Sequence, residues 1–208
     1  LILLSAAFNC CTSAGVMDGE TCSGVTTFLL KHEIDTGNLI FQERVEIGPN
    51  MTAGELHDQL MYTGADLLVK TVEAMAVGDY PLQDQGGLLA GREPKHAPKI
   101  FKEDMKVDWS LGVDAIFNHI RGLSPFPTAW TEFRNKKNGE IVSLKIFETE
   151  RIVKDHGKDV GLSTDNKTYL DVLVEGGVIR IKELQLSGKK RMKTEEFLRG
   201  FHIEDYSL

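Results

Sequence analysis

Cysteine is scarce in this chain of 208 residues: Cys10, Cys11 and Cys22 are its three, all near the start, with no C-x-x-C spacing and no partnered histidine. That pattern argues against a disulfide framework or a thiolate metal site and predicts a reducing compartment. Long apolar runs are absent as well, and none approaches the roughly 20 residues that a membrane-spanning helix needs. Leu1 to Leu4 is apolar, but no basic stretch precedes it and it is too short for a secretory h-region. The expectation is a cytoplasmic protein with no metal and no membrane anchor. A surplus of positive charge is also lacking, since the formal net charge is −7. Nor is disorder indicated: 41% hydrophobic and 26% charged residues are ordinary globular composition, enough for one large or two small domains.

The charge is unevenly placed. Residues 1 to 98 carry five Lys/Arg against thirteen Asp/Glu, and 99 to 208 carry the remaining nineteen against eighteen, so the halves sit near −8 and +1. Such asymmetry fits an acidic half joined to a module able to meet a polyanion, and equally two solvated surfaces of unlike composition. Proline and glycine cluster between the halves: Pro81, Gly86, Gly87, Gly91, Pro94 and Pro98 fall within residues 80–98. This stretch reads as a linker whose Arg92 and Lys95, with Lys99 just beyond, either touch a phosphate backbone or decorate a plain spacer.

The most informative segment lies between two short apolar runs, Gly24 to Leu30 and Leu39 to Ile47, which read as strands. Between them stands Asp35-Thr36-Gly37. Gly37 is free to take positive φ and the Thr36 hydroxyl can tie the turn, which fixes Asp35 at a strand end. From spacing alone Asp35 is either an Asx-turn former or a chemical group. Met51 to Val77 then reads as a helix on the recurrence of Leu56, Leu60, Met61, Leu67, Leu68, Val72 and Met75. Thr52 and Glu55 form a capping-box pattern, Gly78 a C-cap, and Gly64 a break inside the segment; His57 reads as a surface histidine. Residues 1 to 15 show neither strand alternation nor a helical period.

Beyond the linker, Trp109, Val113, Ile116, Phe117 and Ile120 mark one face of a second helix, capped by Asp108 or Ser110 and stopped by Gly122. Pro125 and Pro127 lead into runs at Ala129–Phe133, Ile141–Phe147, Tyr169–Val174 and Val178–Leu186, with turns at Asn138-Gly139 and Gly176-Gly177. About five short strands at this spacing suggest a small closed barrel, with Trp130 and Phe133 read as its core rather than as base-stacking platforms. Lys189, Lys190, Arg191 and Lys193 form the densest basic run, on a turn before a short helix capped by Thr194. Such a run either neutralises phosphates or is a solvated loop.

Four segments resemble the methionyl-tRNA formyltransferase family in the family's own order. They are GVTTFLLKHEIDTGNLIFQ, with DGET before it and TAGELHDQL after it, then APKIFKEDMKVDWS, then IRGLSPFPTAW, then LQLSGKKRMKTEEFLRG. The resemblance spans residues 17 to 200 and implies an α/β fold, the later part of the family's Rossmann-like catalytic sheet over residues 1–79, a linker at 80–98, and an OB-like β-barrel at 99–208. It implies formyl transfer from 10-formyltetrahydrofolate to the α-amino group of methionyl initiator tRNA, in translation initiation and by a monomer. Asp35 would manage protons with Thr36 and Gly37 as loop support, and Lys189, Lys190, Arg191, Lys193, Arg92 and Lys95 would contact tRNA. The chain departs from the family at its start, where Leu3, Leu4 and Ser5 only echo a Ser-Leu-Leu-Pro segment and the Arg-Gly-Ala-Ala-Pro loop walling the folate site is not matched. The family's catalytic Asn and His also have no counterpart. The expectation is a fragment with little activity alone; the other readings are a folate-dependent enzyme acting on a sugar nucleotide or on free folate, and an RNA-binding module.

Overall fold

The computed structural model describes residues 2–6, 10–32, 37–84, 95, 97–157 and 159–208, with the backbone only at 2–6, 10 and 11. The chain divides into two compact units, Leu1–Gly15 with Glu20–Lys99, and Val16–Gly19 with Ile100–Leu208.

In the first unit β1 (Ile2–Ala6), β2 (Cys22–Leu29) and β3 (Leu39–Glu46) form a sheet in that spatial order, and both pairings are antiparallel. The Rossmann-like sheet that the family resemblance implies is represented among the described residues by these antiparallel strands, with no parallel pair. The physical reason for the second pair is the short β2–β3 connection, which allows a hairpin but not the long crossover a parallel pair needs. Strand β1 shows no period of its own in the sequence; its ladder with β2 defines it. Helix α1 (Cys10–Met17) follows.

Helix α2 (Ala53–Val77) packs on all three strands. Its start is the expected capping box: Thr52 Oγ1 accepts from the Glu55 N–H at 3.2 Å, and the Thr52 N–H donates to Glu55 Oε2 at 2.8 Å. Gly78 closes it with φ of 75°, a left-handed conformation that costs glycine nothing. The helix runs unbroken through Gly64, because that glycine is in the buried row with Ala53, Leu56, Leu60, Leu67 and Thr71 and faces the sheet. The apolar stripe is narrower than the sequence suggests, since Met61, Leu68 and Val72 face solvent.

Thr27 and Thr71 tie helix to sheet. The β2–β3 register shifts between Thr27 and Phe28, and there the Phe41 N–H donates to Thr27 Oγ1 at 3.2 Å. Thr71 Oγ1 donates to the Leu67 carbonyl at 2.7 Å, so the 2.9 Å contact between the hydroxyls is a donation from Thr27. Both hydroxyls are fully buried, where an unmade hydrogen bond is costly.

The second unit is built on strands β4 (Ala129–Asn135), β5 (Ile141–Val153), β6 (Gly161–Thr164), β7 (Leu170–Val174), β8 (Gly177–Leu186), β9 (Met192–Lys193) and β10 (Tyr206–Ser207). Their order is β10-β4-β5-β8-β7-β6, with β9 added to β8. The 3-10 turn Ile203–Asp205 lies against β6 at the far end of the path, which leaves a nearly closed, barrel-like sheet. Strand β6 falls in what the sequence reads as loop. Inward residues Ala129, Phe133, Leu144, Ile146, Leu170, Val172, Ile179, Ile181 and Leu184 are fully buried against Ile116, Phe117, Ile120 and Leu123 of helix α3 (Val113–Leu123).

Helix α3 is not capped by Asp108 or Ser110. Asp108 instead accepts from the Ser110 N–H and hydroxyl in a turn ahead of it, and the helix starts at Gly112, with the Val113 N–H donating to the Glu175 carbonyl at 2.9 Å. Gly122 lies inside the helix, which stops at Ser124 before Pro125. The β7–β8 turn is Glu175-Gly176, with Gly176 at φ of 76°. At Gly177 a Cβ would come within 2.4 Å of the Ile152 carbonyl, so this strand pair requires a glycine. Trp109 is buried ahead of α3 rather than on it, its Nε1–H donating to Thr131 Oγ1 at 2.8 Å.

Candidate functional site: a hairpin loop and a basic sheet face

The loop predicted to carry chemistry joins β2 to β3. Asp35 and Thr36 lie outside the described residues, and what the structure shows is the frame that holds their loop. The ladder continues past the strands through the Leu29 N–H, which donates to the Asn38 carbonyl at 3.0 Å, and Lys31 Nζ donates to Asn38 Oδ1 at 2.9 Å. Gly37 packs so closely that a Cβ would fall 1.4 Å from the Leu29 carbonyl oxygen and 3.2 Å from the Phe28 ring. Close backbone approach, rather than positive φ, is thus the reason for glycine at this position. Phe28, Leu39 and Ile40 are buried, which pins the strand ends on either side.

The other predicted residues belong to the basic segments. Arg92 lies outside the described residues. Lys95 is exposed and paired with Glu20. On the later turn, Lys190 Nζ is 3.2 Å from Glu196, Arg191 is paired with Glu183 and stacks its guanidinium 4.3 Å from the Phe147 ring centre, and Lys193 Nζ is 3.0 Å from Glu148. The hydrogen bond and charge of Glu148 raise the Lys193 pKa. Three of the four cations thus already face carboxylates, and a phosphate at this turn has to exchange with them. Exposed pairs of this kind are worth only about 0–1 kcal/mol, so the exchange is permitted. The short helix α4 (Thr194–Leu198) is entered from Lys193, and Thr194, expected as its cap, donates its buried hydroxyl to the Ile181 carbonyl at 2.6 Å.

A second basic group escapes the sequence reading. Trp130 is not in the barrel core; it points away from it, opposite to Ala129, Thr131 and Phe133, and its Nε1–H donates to the Lys102 carbonyl at 2.9 Å. Lys106 Nζ lies 5.1 Å and Lys102 Nζ 5.8 Å from its ring centre. Lys145 sits beside it in the β4–β5 register. Among the described residues no group of three or more His, Cys, Asp or Glu is placed to hold a metal ion, and no helix is long and apolar enough to cross a membrane.

The antiparallel hairpin carrying an Asp-Thr-Gly loop and the nearly closed barrel correspond to two recognised domain families. Residues 11–72 match the formyl transferase family model and residues 99–202 match the formyl transferase C-terminal domain. The chain belongs to the formyl transferase family. Among curated relatives it is 46% identical over 192 residues to the methionyl-tRNA formyltransferase of Phocaeicola vulgatus, covering 91% of this chain and 59% of that protein. It is 44% identical over 191 residues to the methionyl-tRNA formyltransferase of Bacteroides fragilis, again 91% of this chain and 59% of that protein. The chain therefore spans about three-fifths of the length of these relatives. In fold it resembles HypX from Aquifex aeolicus in complex with tetrahydrofolic acid, with TM-score 0.65, 15% identity, and coverage of 95% of this chain and 34% of that one. It also resembles the N-formyltransferase from Helicobacter canadensis in complex with folinic acid and dTDP-3-aminofucose, with TM-score 0.63, 18% identity, and coverage of 92% and 66%.

Proposed function

We propose that this chain carries the Asp35 loop and the acceptor-binding barrel of an enzyme that transfers a formyl group from 10-formyltetrahydrofolate to the α-amino group of methionine on initiator tRNA. The observation that supports this reading most is the relatives of that name, 46% identical along 91% of the chain, through both matched domains. Solved relatives in fold hold tetrahydrofolic acid or folinic acid, in keeping with a reduced-folate donor. In the reaction the neutral amine attacks the formyl carbon, the carbon–nitrogen bond to the folate breaks, and the amine proton must leave while the departing nitrogen gains one. A carboxylate on a loop with a rigid base suits that traffic. Asp35 takes the role, Thr36 ties the loop, and Gly37 packed on Leu29 holds its base. The barrel, of OB-like type, meets tRNA through Lys189, Lys190, Arg191 and Lys193, aided by Arg92 and Lys95 from the linker at 80–98. The enzyme works as a monomer in the cytoplasm.

The test offers one formyl donor to two acceptors. With the chain joined to the upstream formyl transferase residues of a relative, methionyl initiator tRNA is expected to be formylated and a dTDP-amino sugar is not. Formylation of the sugar nucleotide instead would overturn the reading. Binding of tRNA with no formylation of either acceptor would reduce the chain to an RNA-binding module.

A further inference from the structure

We infer that the RNA-facing surface of the second unit is a row across the outer sheet face, running from Lys102 and Lys106 through Trp130, Lys145 and Gln185 to Lys189, with the unpaired lysines at the Trp130 end carrying more of the phosphate contact than the basic turn. The inference rests on the proposed tRNA acceptor.

The row is fixed by register. Lys106 bridges Trp130 in parallel, and the Val107 N–H donates to the Trp130 carbonyl at 2.9 Å. Trp130 pairs with Lys145, Lys145 pairs with Gln185, and Gln185 Nε2 donates to the Lys189 carbonyl at 2.8 Å. Trp130, Lys145 and Gln185 alternate with the buried Ala129, Thr131, Leu144, Ile146 and Leu184, and so share the face turned away from the core, while Lys102 and Lys106 join it over the Trp130 ring and Lys189 through its carbonyl bond to Gln185. Neighbouring strands lie about 4.8 Å apart, so the row crosses about 10 Å from β4 through β5 to β8 before it reaches Lys189 on the turn that follows, enough to follow more than one phosphate of one strand.

Charge separates the two ends of the row. The turn is paired with Glu183, Glu148 and Glu196, as described above. Among the described residues no carboxylate pairs with Lys102 or Lys145, while Lys106 is held by Glu132 at 2.6 Å. Trp130 is a positioning residue here. Its ring holds two ammonium groups by cation–π attraction and its indole N–H fixes the backbone of Lys102, so the lysines are arrayed before RNA arrives. Cations without carboxylate partners release condensed counterions on meeting phosphate and lose no ion pair in doing so.

The test measures tRNA affinity of the 208-residue chain from low to moderate salt, for the parent, for Lys102→Gln with Lys145→Gln, and for Lys189→Gln, Lys190→Gln, Arg191→Gln and Lys193→Gln together. Each phosphate contact contributes roughly 0.7–0.9 to the slope of log K against log salt, so the two-site variant is expected to flatten it by about 1.5. The four-site turn variant is expected to change it less than four full contacts would. Acrylamide quenching gives an independent readout, because Trp109 is buried and the half-buried Trp130 is the more accessible of the two indoles: tRNA is expected to shield it. A two-site variant with the parent slope, beside a turn variant that flattens it, would overturn the inference and leave the tRNA reading standing. A parent chain with no salt-dependent tRNA binding would overturn both.

Discussion

Thr71→Val in α2 is expected to destabilise the first unit well beyond the loss of one hydroxyl. The buried chain of donors runs from the Phe41 N–H to Thr27, from Thr27 to Thr71, and from Thr71 to the Leu67 carbonyl. Valine at 71 keeps the shape of the side chain and leaves Leu67 its helical partner, but it strands the Thr27 hydroxyl, whose remaining acceptor is the Phe41 carbonyl at 3.5 Å. An unsatisfied buried donor costs about 1–3 kcal/mol. Thr27→Val removes the acceptor of the Phe41 N–H instead and is expected to cost about 1–3 kcal/mol as well. The double variant orphans only the Phe41 N–H. It should therefore cost less than the two singles added together, by roughly 0.5–1.5 kcal/mol of coupling. Urea unfolding monitored by far-UV circular dichroism measures all four proteins, and a shift in midpoint without a change in m isolates stability. Strictly additive effects, or singles each below about 0.5 kcal/mol, would refute the donor order and with it the claim that these hydroxyls pin the Asp35 hairpin to α2.

Asp35→Asn, in the chain joined to upstream family residues, should lower kcat/KM for formylation by roughly 10²–10⁴ with tRNA affinity intact, whereas a mere Asx-turn former tolerates asparagine; a rate within a few-fold of the parent rejects the catalytic role. Gly37→Ala should destabilise the hairpin, because its Cβ would overlap the Leu29 carbonyl, and a midpoint equal to the parent's would refute the close packing. Thr52→Ala should cost about 1 kcal/mol through loss of the capping box, read in the same urea titration, with Thr52→Ser restoring most of it. His119 gives a pH dependence. Burial lowers its pKa below the ordinary 6.5 despite a backbone hydrogen bond to Met105, and its Nε2 has no hydrogen-bond partner among the described residues. The unfolded chain takes up the proton first, so the stability of the second unit should be undiminished above about 6.5, fall as pH drops toward the lowered folded value, and level off below it. His119→Gln should remove that part of the slope; an identical profile in parent and variant would exclude His119 as its source.

The capping box at Thr52 and Glu55, the Gly78 cap and the Gly176 turn were legible because each is chemistry confined to a few neighbouring residues. The strands β1 and β6 were not, because their pairing with β2 and β7 comes from the sheet rather than from their own alternation. The start of α3 escapes the sequence for a related reason: Asp108 and Ser110 are good capping types, but they satisfy each other, and the helix takes its first contact from Glu175, far along the chain. Gly64 reads as a breaker by propensity alone. In the fold its lack of a side chain lets α2 approach the sheet, and packing outweighs the roughly 1 kcal/mol that glycine costs inside a helix.

Trp130 shows where a signal was present and unused. It stands three positions from Phe133, and on a strand an odd spacing puts two residues on opposite faces, so both could not belong to the core. Once Phe133 is inside, Trp130 is outside, and Lys145 opposite it in register is outside too. Net charge hid the consequence. The second half of the chain sums to +1, nineteen cations against eighteen anions, which describes no polyanion-binding surface. The sum averages two arrangements that differ in kind: at the turn, carboxylates on β5, β8 and α4 stand against the cations, whereas around Trp130 an aromatic ring holds Lys102 and Lys106, and of these two only Lys106 meets a carboxylate, Glu132, among the described residues. A densely basic run marks where cations are close in sequence; the ladder decides where they are close in space and unopposed.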